Sequence, residues 1–138
     1  IKYEQTASVE LKLPAKKPAP KKFYSPLTGM EIANEAAAKL PVTGVMIENS
    51  PAARPQSGLK KAGVVYEAVA EGGITRFLAL YQGEKPALIG PVRSLRLYYL
   101  SWAAPYKASI AHVGGSPNAL SQVRNGNYRD IDQFFNDG

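Results

Sequence analysis

"VVYEAVAEGGITRFLALYQGEKPALIGPVRSLRLYYL", from Val64 to Leu100, is the stretch on which the fold turns. Val64 to Ala70 is rich in β-branched and aromatic residues and reads as a strand, and Glu71-Gly72-Gly73 bends the chain out of it. Ile74 to Gln82 then alternates. Ile74, Arg76, Leu78 and Leu80 take one face, with Thr75, Phe77, Ala79 and Tyr81 on the other. Gly83 to Pro86 predicts a hairpin turn, with Ala87 to Val92 as the returning strand. Ser94 to Tyr106 predicts a helix that starts at a Ser94 cap and ends near Pro105.

On the N-terminal side, Asn34 is placed to cap a short helix in "ANEAAAKLP", which Pro41 stops. Val42 to Asn49 reads as a buried strand, Ser50 to Leu59 as a loop, and "LKKAG" as a single helical turn. On the C-terminal side, Ala108 to Gly115 is a further strand. Ser116 to Gly126 is the clearest helix, with Ser116 as cap, Pro117 at the first helical position and Gly126 as terminator. Strands and helices interleave, so the expected class is α/β (or α+β): a mixed β-sheet packed with helices in layers behind an extended N-terminal tail.

The chain has 138 residues, which suits one domain, expected over residues 23–138. No run approaches the roughly 18 apolar residues of a membrane-spanning helix. Cysteine is absent, which excludes disulfides, thiolate zinc sites and a cysteine nucleophile. The net charge of +6 is concentrated in residues 1–22, where six lysines face only Glu4 and Glu10; the remainder is nearly balanced. A nucleic-acid partner is therefore not expected, since it would need a basic face on the folded body. "LPAKKPAPKKF" (Leu13 to Phe23) reads as an extended spacer, either a solvated linker or a segment lying along an anionic surface. "ASVELKL" (Ala7 to Leu13) alternates weakly, as a strand added to some edge would. With neither leading Met nor signal peptide, the chain reads as a mature or trimmed product, and the ending "IDQFFNDG", apolar residues followed by a turn signal, predicts that more polypeptide follows.

Arginines set into apolar sequence carry the functional question, because a guanidinium stays charged and its burial needs a partner. Arg93 and Arg96 flank a predicted helix start, whose backbone amides would add to an anion seat; Arg76 follows the Gly pair, and Arg54 lies in the Pro-rich loop. Two outcomes stand open. These arginines pair internally with Glu48, Glu67 and Glu71, or they take an anion from outside. "GGSPNAL" offers a phosphate or carboxylate cradle at Gly114 and Gly115, although a Gly pair there more often makes a tight turn. His112, the single histidine, reads as either a general base or a hydrogen-bonded core residue. Mg²⁺ held by Glu67, Glu71 and a ligand phosphate is the one cofactor the pattern leaves open. The candidate ligand-binding set is Arg54, Glu71, Thr75, Arg76, Arg93, Ser94, Arg96, His112, Gly114 and Gly115, with no catalytic residue assigned.

"IENSPAARPQSGLKKAGVVYEAVAEGGITRFLALYQ", "IGPVRSLRLYYL" and "AHVGGSPNAL" together resemble the signature blocks of the YerB-like lipoproteins, over about Tyr24 to Gly138. The resemblance implies a Gram-positive envelope protein, lipid-anchored on the extracellular face of the cytoplasmic membrane and carrying a C-terminal domain. The order of elements is also similar to the LytR–CpsA–Psr phosphotransferases, which act on polyprenyl-pyrophosphate-linked glycans with arginines and magnesium. On that similarity Arg76 and Arg93 would contact pyrophosphate. Those enzymes have Asp beside these arginines, whereas Phe77 and Ser94 stand here. The expectation is thus a domain binding a phosphate- or carboxylate-bearing envelope ligand, with a phosphotransferase or a scaffold domain as alternatives.

Overall fold

The computed structural model of the chain describes Lys17 and residues 19–135. The weak alternation at Ala7 to Leu13 lies outside them. Two layers of side chains are organised by a five-stranded sheet in the order β4-β5-β3-β6-β7. Its strands are β3 (Thr43–Glu48), β4 (Val64–Val69), β5 (Thr75–Tyr81), β6 (Ser109–His112) and β7 (Arg129–Asp132). β5 runs antiparallel to both β3 and β4, whereas β3, β6 and β7 are mutually parallel. A small ribbon of β1 (Phe23–Tyr24) and β2 (Glu31–Ile32) precedes helix α1 (Glu35–Ala38), whose Ala37 amide donates to the Asn34 side chain as expected.

The alternation in β5 sorts the core. Leu78 and Leu80, with Met46 and Ile110, face α2 (Leu97–Ala103) and α3 (Pro117–Asn125). Ala79 and Tyr81 join Val45 and Ile47 on the opposite face, covered by Leu59, Ala62, Ile89 and Val92 from irregular segments. Tyr99 is fully buried in α2, and Trp102 stacks on Tyr66 of β4, so the aromatic run serves helix packing.

Three expectations are corrected. Residues 87–92 do not return beside β5, because β4 and β3 already occupy both of its edges. They reach β3 instead through an isolated bridge at Ile47↔Val92, and the loop that follows β3 through one at Ser57↔Gly90. The helix expected from Ser94 begins only at Leu97, with Arg96 at the cap position, since Leu95 is drawn into the core. Arg96 therefore stands at the cap rather than within the first turn, and Arg93 lies three residues before it. Finally, β7 was not anticipated; β6, α3 and β7 form a parallel crossover unit.

The detour of residues 91–95 builds the site. β3 and β6 are paired only as far as Val45↔Ala111. Beyond that point the strands part, and residues 91–95 fill the fork. Glu48 N donates to Pro91 O (3.0 Å), Arg93 N to Met46 O (2.9 Å), Val113 N to Arg93 O (3.2 Å) and Leu95 N to Gly114 O (2.9 Å). A fork between parallel strands at their carboxyl ends is where α/β sheets commonly present ligand groups.

Candidate functional site

All the anticipated residues gather along this one edge of the sheet, in three connected networks. The first surrounds the fork. Glu48 ends β3 opposite Arg76 of β5 in the strand register. One Glu48 oxygen accepts from the amides of Asn49 and Ser50 (both 3.1 Å), and the other from Arg93 Nε. Burial alone would raise the Glu48 carboxyl; the Arg93 bond, the Ser50 amide and the charges of Arg93 and Arg76 outweigh it and hold the group below the ordinary carboxylate range.

Arg76 is 5% exposed. Its Nη1 donates to Ser94 O (2.8 Å) and its Nη2 to Glu71 Oε2 (3.0 Å), while its buried Nε has no partner. The other Glu71 oxygen pairs with Arg96. One half-exposed carboxylate therefore serves two guanidinium groups. Arg93, by contrast, uses Nε alone, and its side chain is 58% exposed.

The second network centres on Asn49, which the sequence reading had not singled out. Its Nδ2 donates to Thr75 Oγ1 (2.7 Å) and Glu67 Oε1 (3.2 Å), and Thr75 donates to the same Glu67 oxygen (2.6 Å). Asn49 Oδ1 accepts from Arg54 Nε (3.1 Å) and Gln56 Nε2 (2.9 Å). Arg54 also reaches Asn49 O (3.1 Å), so it is held by an amide and a carbonyl rather than an acid. Asparagine after a strand reads first as a turn residue, and nothing local marked it as a hub.

His112 anchors the third. Nδ1 contacts Gly114 O (2.7 Å), Nε2 contacts Asp130 Oδ1 (2.8 Å), and the residue is almost completely buried. Both ring nitrogens are engaged with internal acceptors, which fits the core reading rather than a base facing substrate. Fully buried Asp132 accepts from Gly114 N (3.0 Å), Phe134 N (3.4 Å) and Arg124 Nη2 (3.0 Å). Burial would raise the Asp132 carboxyl, but Gly114, Arg124, Phe134 and His112 together hold it below its usual value. The Asp-Ile-Asp alternation at 130–132 places both acids in register with Ile110 and His112 of β6, and was the signal available.

The Gly pair serves packing. The Gly114 amide is engaged by Asp132 and the Ser116 amide by Leu95 O, so neither is left for a phosphate. A Cβ on Gly115 would meet Leu95 O at 2.9 Å, which explains glycine there. Glu67 is engaged by Asn49 and Thr75, whereas Glu71 is engaged by Arg76 and Arg96. Among the described residues, no group of three His, Asp or Glu side chains is arranged to hold a metal.

Residues 27–137 match the family described as "Protein of unknown function (DUF3048) N-terminal domain". The chain belongs to this family. It is 45% identical over 106 residues to "Putative lipoprotein YerB" of Bacillus subtilis (strain 168), covering 77% of this chain and 32% of that protein. It also superimposes on the crystal structure of the YerB protein from Bacillus subtilis with a TM-score of 0.78 at 40% identity, covering 85% of this chain and 40% of that one. The chain thus spans well under half of the YerB relatives it matches.

Proposed function

We propose that this YerB-like domain is the ligand-binding part of an envelope lipoprotein, held at the extracellular face of the cytoplasmic membrane, and that it binds a phosphate- or carboxylate-bearing ligand without chemistry of its own. The family likeness supports the envelope setting. One observation carries the ligand: three guanidinium groups at the fork, Arg76, Arg93 and Arg96, share only two carboxylates, Glu48 and Glu71. Arg93 engages Glu48 through Nε, leaving its two terminal amino groups with no hydrogen-bond partner among the described residues. A planar pair of N–H donors in that state suits bidentate contact with an oxyanion. Arg76 acts as the buried support, tying β5 to Ser94 and so positioning the segment that carries Arg93.

The scaffold reading has its own support, since every arginine of the set has at least one internal partner. Titration calorimetry with inorganic pyrophosphate separates the two. The binding reading expects saturable binding that Arg93→Ala weakens about tenfold, as loss of a charge-assisted pair would, with the melting temperature unchanged. No binding by either protein leaves only the scaffold, and equal binding by wild type and Arg93→Ala removes the anion from the fork.

A further inference from the structure

The opposite edge of the sheet holds a second feature, independent of the arginine fork. Val42, just before β3, lies about 20 Å from Glu48 at its end, given roughly 3.3 Å per strand residue. Around Val42 and Ala108, which precede β3 and β6, and Arg129, which begins β7, opens a groove of about 870 Å³. That size falls within the range of small-molecule sites, roughly 300–1,000 Å³.

Its floor is apolar: Leu27, Val42 and Ala108 are all buried. Tyr106 and Tyr128 line it while packing against the core, so their rings are held in place. Its rim is made of donors. Lys107, Asn127 and Arg129 line the groove, are exposed, and take part in no ion pair or side-chain hydrogen bond among the described residues. Among the described residues, no Asp or Glu lines it. Two unpaired cations and an amide, with no carboxylate to answer them, form a recognition surface for an anion.

Lys107 adds a second, independent observation. It has φ 49° and ψ 38° after a short 3₁₀ turn, and is the one non-glycine residue of positive φ among the described residues. Glycine is the residue that occupies this conformation without steric cost. A side chain retained in a strained conformation at the mouth of a groove is the pattern found at ligand clamps.

We infer that this groove binds an acidic saccharide, whose carboxylate or phosphate is taken by Lys107 and Arg129. The CH-rich faces of its rings lie on Tyr128 and the apolar floor, and its hydroxyls are met by Asn127. Sugar rings combine an apolar face with a polar rim, which matches a groove built from tyrosines, prolines and amide donors.

The test uses the whole chain and three soluble probes: a tetragalacturonate, a short glycerol-phosphate oligomer and neutral maltotetraose, with phosphatidylglycerol vesicles as a fourth. Saturable binding of the tetragalacturonate, and not of maltotetraose, is expected; binding of the glycerol-phosphate oligomer alone would show an acyclic polyol phosphate in place of a sugar ring and overturn the assignment. Arg129→Gln is expected to weaken it about tenfold. Lys107→Gly is the sharper variant. It should raise the melting temperature by about 2–5 °C, because the strain is removed, while weakening binding by a similar factor of about ten. Arg93→Ala, at the other edge, should leave this binding unchanged whatever it does to pyrophosphate. No saturable binding of either acidic oligomer, undiminished binding by both groove variants, binding to vesicles alone, or loss of binding in Arg93→Ala would each overturn the assignment.

Discussion

Replacing Glu71 by Ala removes the carboxylate that Arg76 and Arg96 share, and asks directly whether the fork can accept an anion from outside. Arg76 is 5% exposed and would keep only Ser94 O as a partner, at 2.8 Å. Breaking a fully buried ion pair costs about 3–5 kcal/mol. Glu71 is itself 55% exposed, so water screens the pair and fills part of the vacated space, which lowers the expectation to about 2 kcal/mol. For a body of this size that loss corresponds to a melting temperature lower by roughly 10 °C. The variant then presents two guanidinium groups with free N–H donors around an empty seat of carboxylate size. Pyrophosphate at ten times its dissociation constant would restore about 1.4 kcal/mol by mass action. The assay is thermal unfolding of wild type and Glu71→Ala, with and without pyrophosphate, against matched ionic strength. The expected result is a larger pyrophosphate-induced upward shift in the variant than in wild type. A fall of under a degree on substitution refutes the energetic reasoning, and equal pyrophosphate shifts in the two proteins refute the seat.

Acid should unfold the protein through Glu48 and Asp132. Both carboxyls are held below their ordinary values of 4.5 and 3.8, so their stabilisation is complete above those values and is lost as pH falls through the lowered folded ones. Urea unfolding from pH 6 to 2 should show stability declining below about pH 4; Asp132→Asn should be about 2–3 kcal/mol less stable at pH 7 and show a shallower acid decline. A parallel decline in the variant would remove Asp132 from the explanation. Gly58 has φ +74°, and a Cβ there would stand 2.4 Å from Leu88 O, a backbone atom, whereas Gly72 at φ +59° has nothing within 4 Å. Gly58→Ala should therefore cost about 2–4 kcal/mol and Gly72→Ala about 1 kcal/mol in denaturant melts, and equal costs would discredit the steric argument. The Tyr99 hydroxyl donates to Arg76 O at 2.6 Å from a buried position, and burial pushes its phenol well above the usual range. Tyr99→Phe should lose about 1–2 kcal/mol by the same assay; an unchanged midpoint would show that the bond contributes nothing net.

The division between what was legible and what was not follows from range. Alternation along Thr75 to Tyr81, the Asn34 cap, Pro117 and the terminating Gly126 act on neighbours a few residues away, and the mixed sheet packed with helices followed from them. Residues 87–92 carried an equally good local strand signal, yet which edge they meet depends on strand order, and β5 had no edge free. The same limit governs the charges. That Arg76, Arg93 and Arg96 need partners is a property of the guanidinium and is written in the sequence. That Arg93 takes Glu48, 45 residues away, while Arg76 and Arg96 divide Glu71, is settled only by the parting of β3 and β6 and the segment that fills the fork. Local chemistry set the residue types and the elements; the competition among distant acids for the same cations was decided by the packing of the whole sheet.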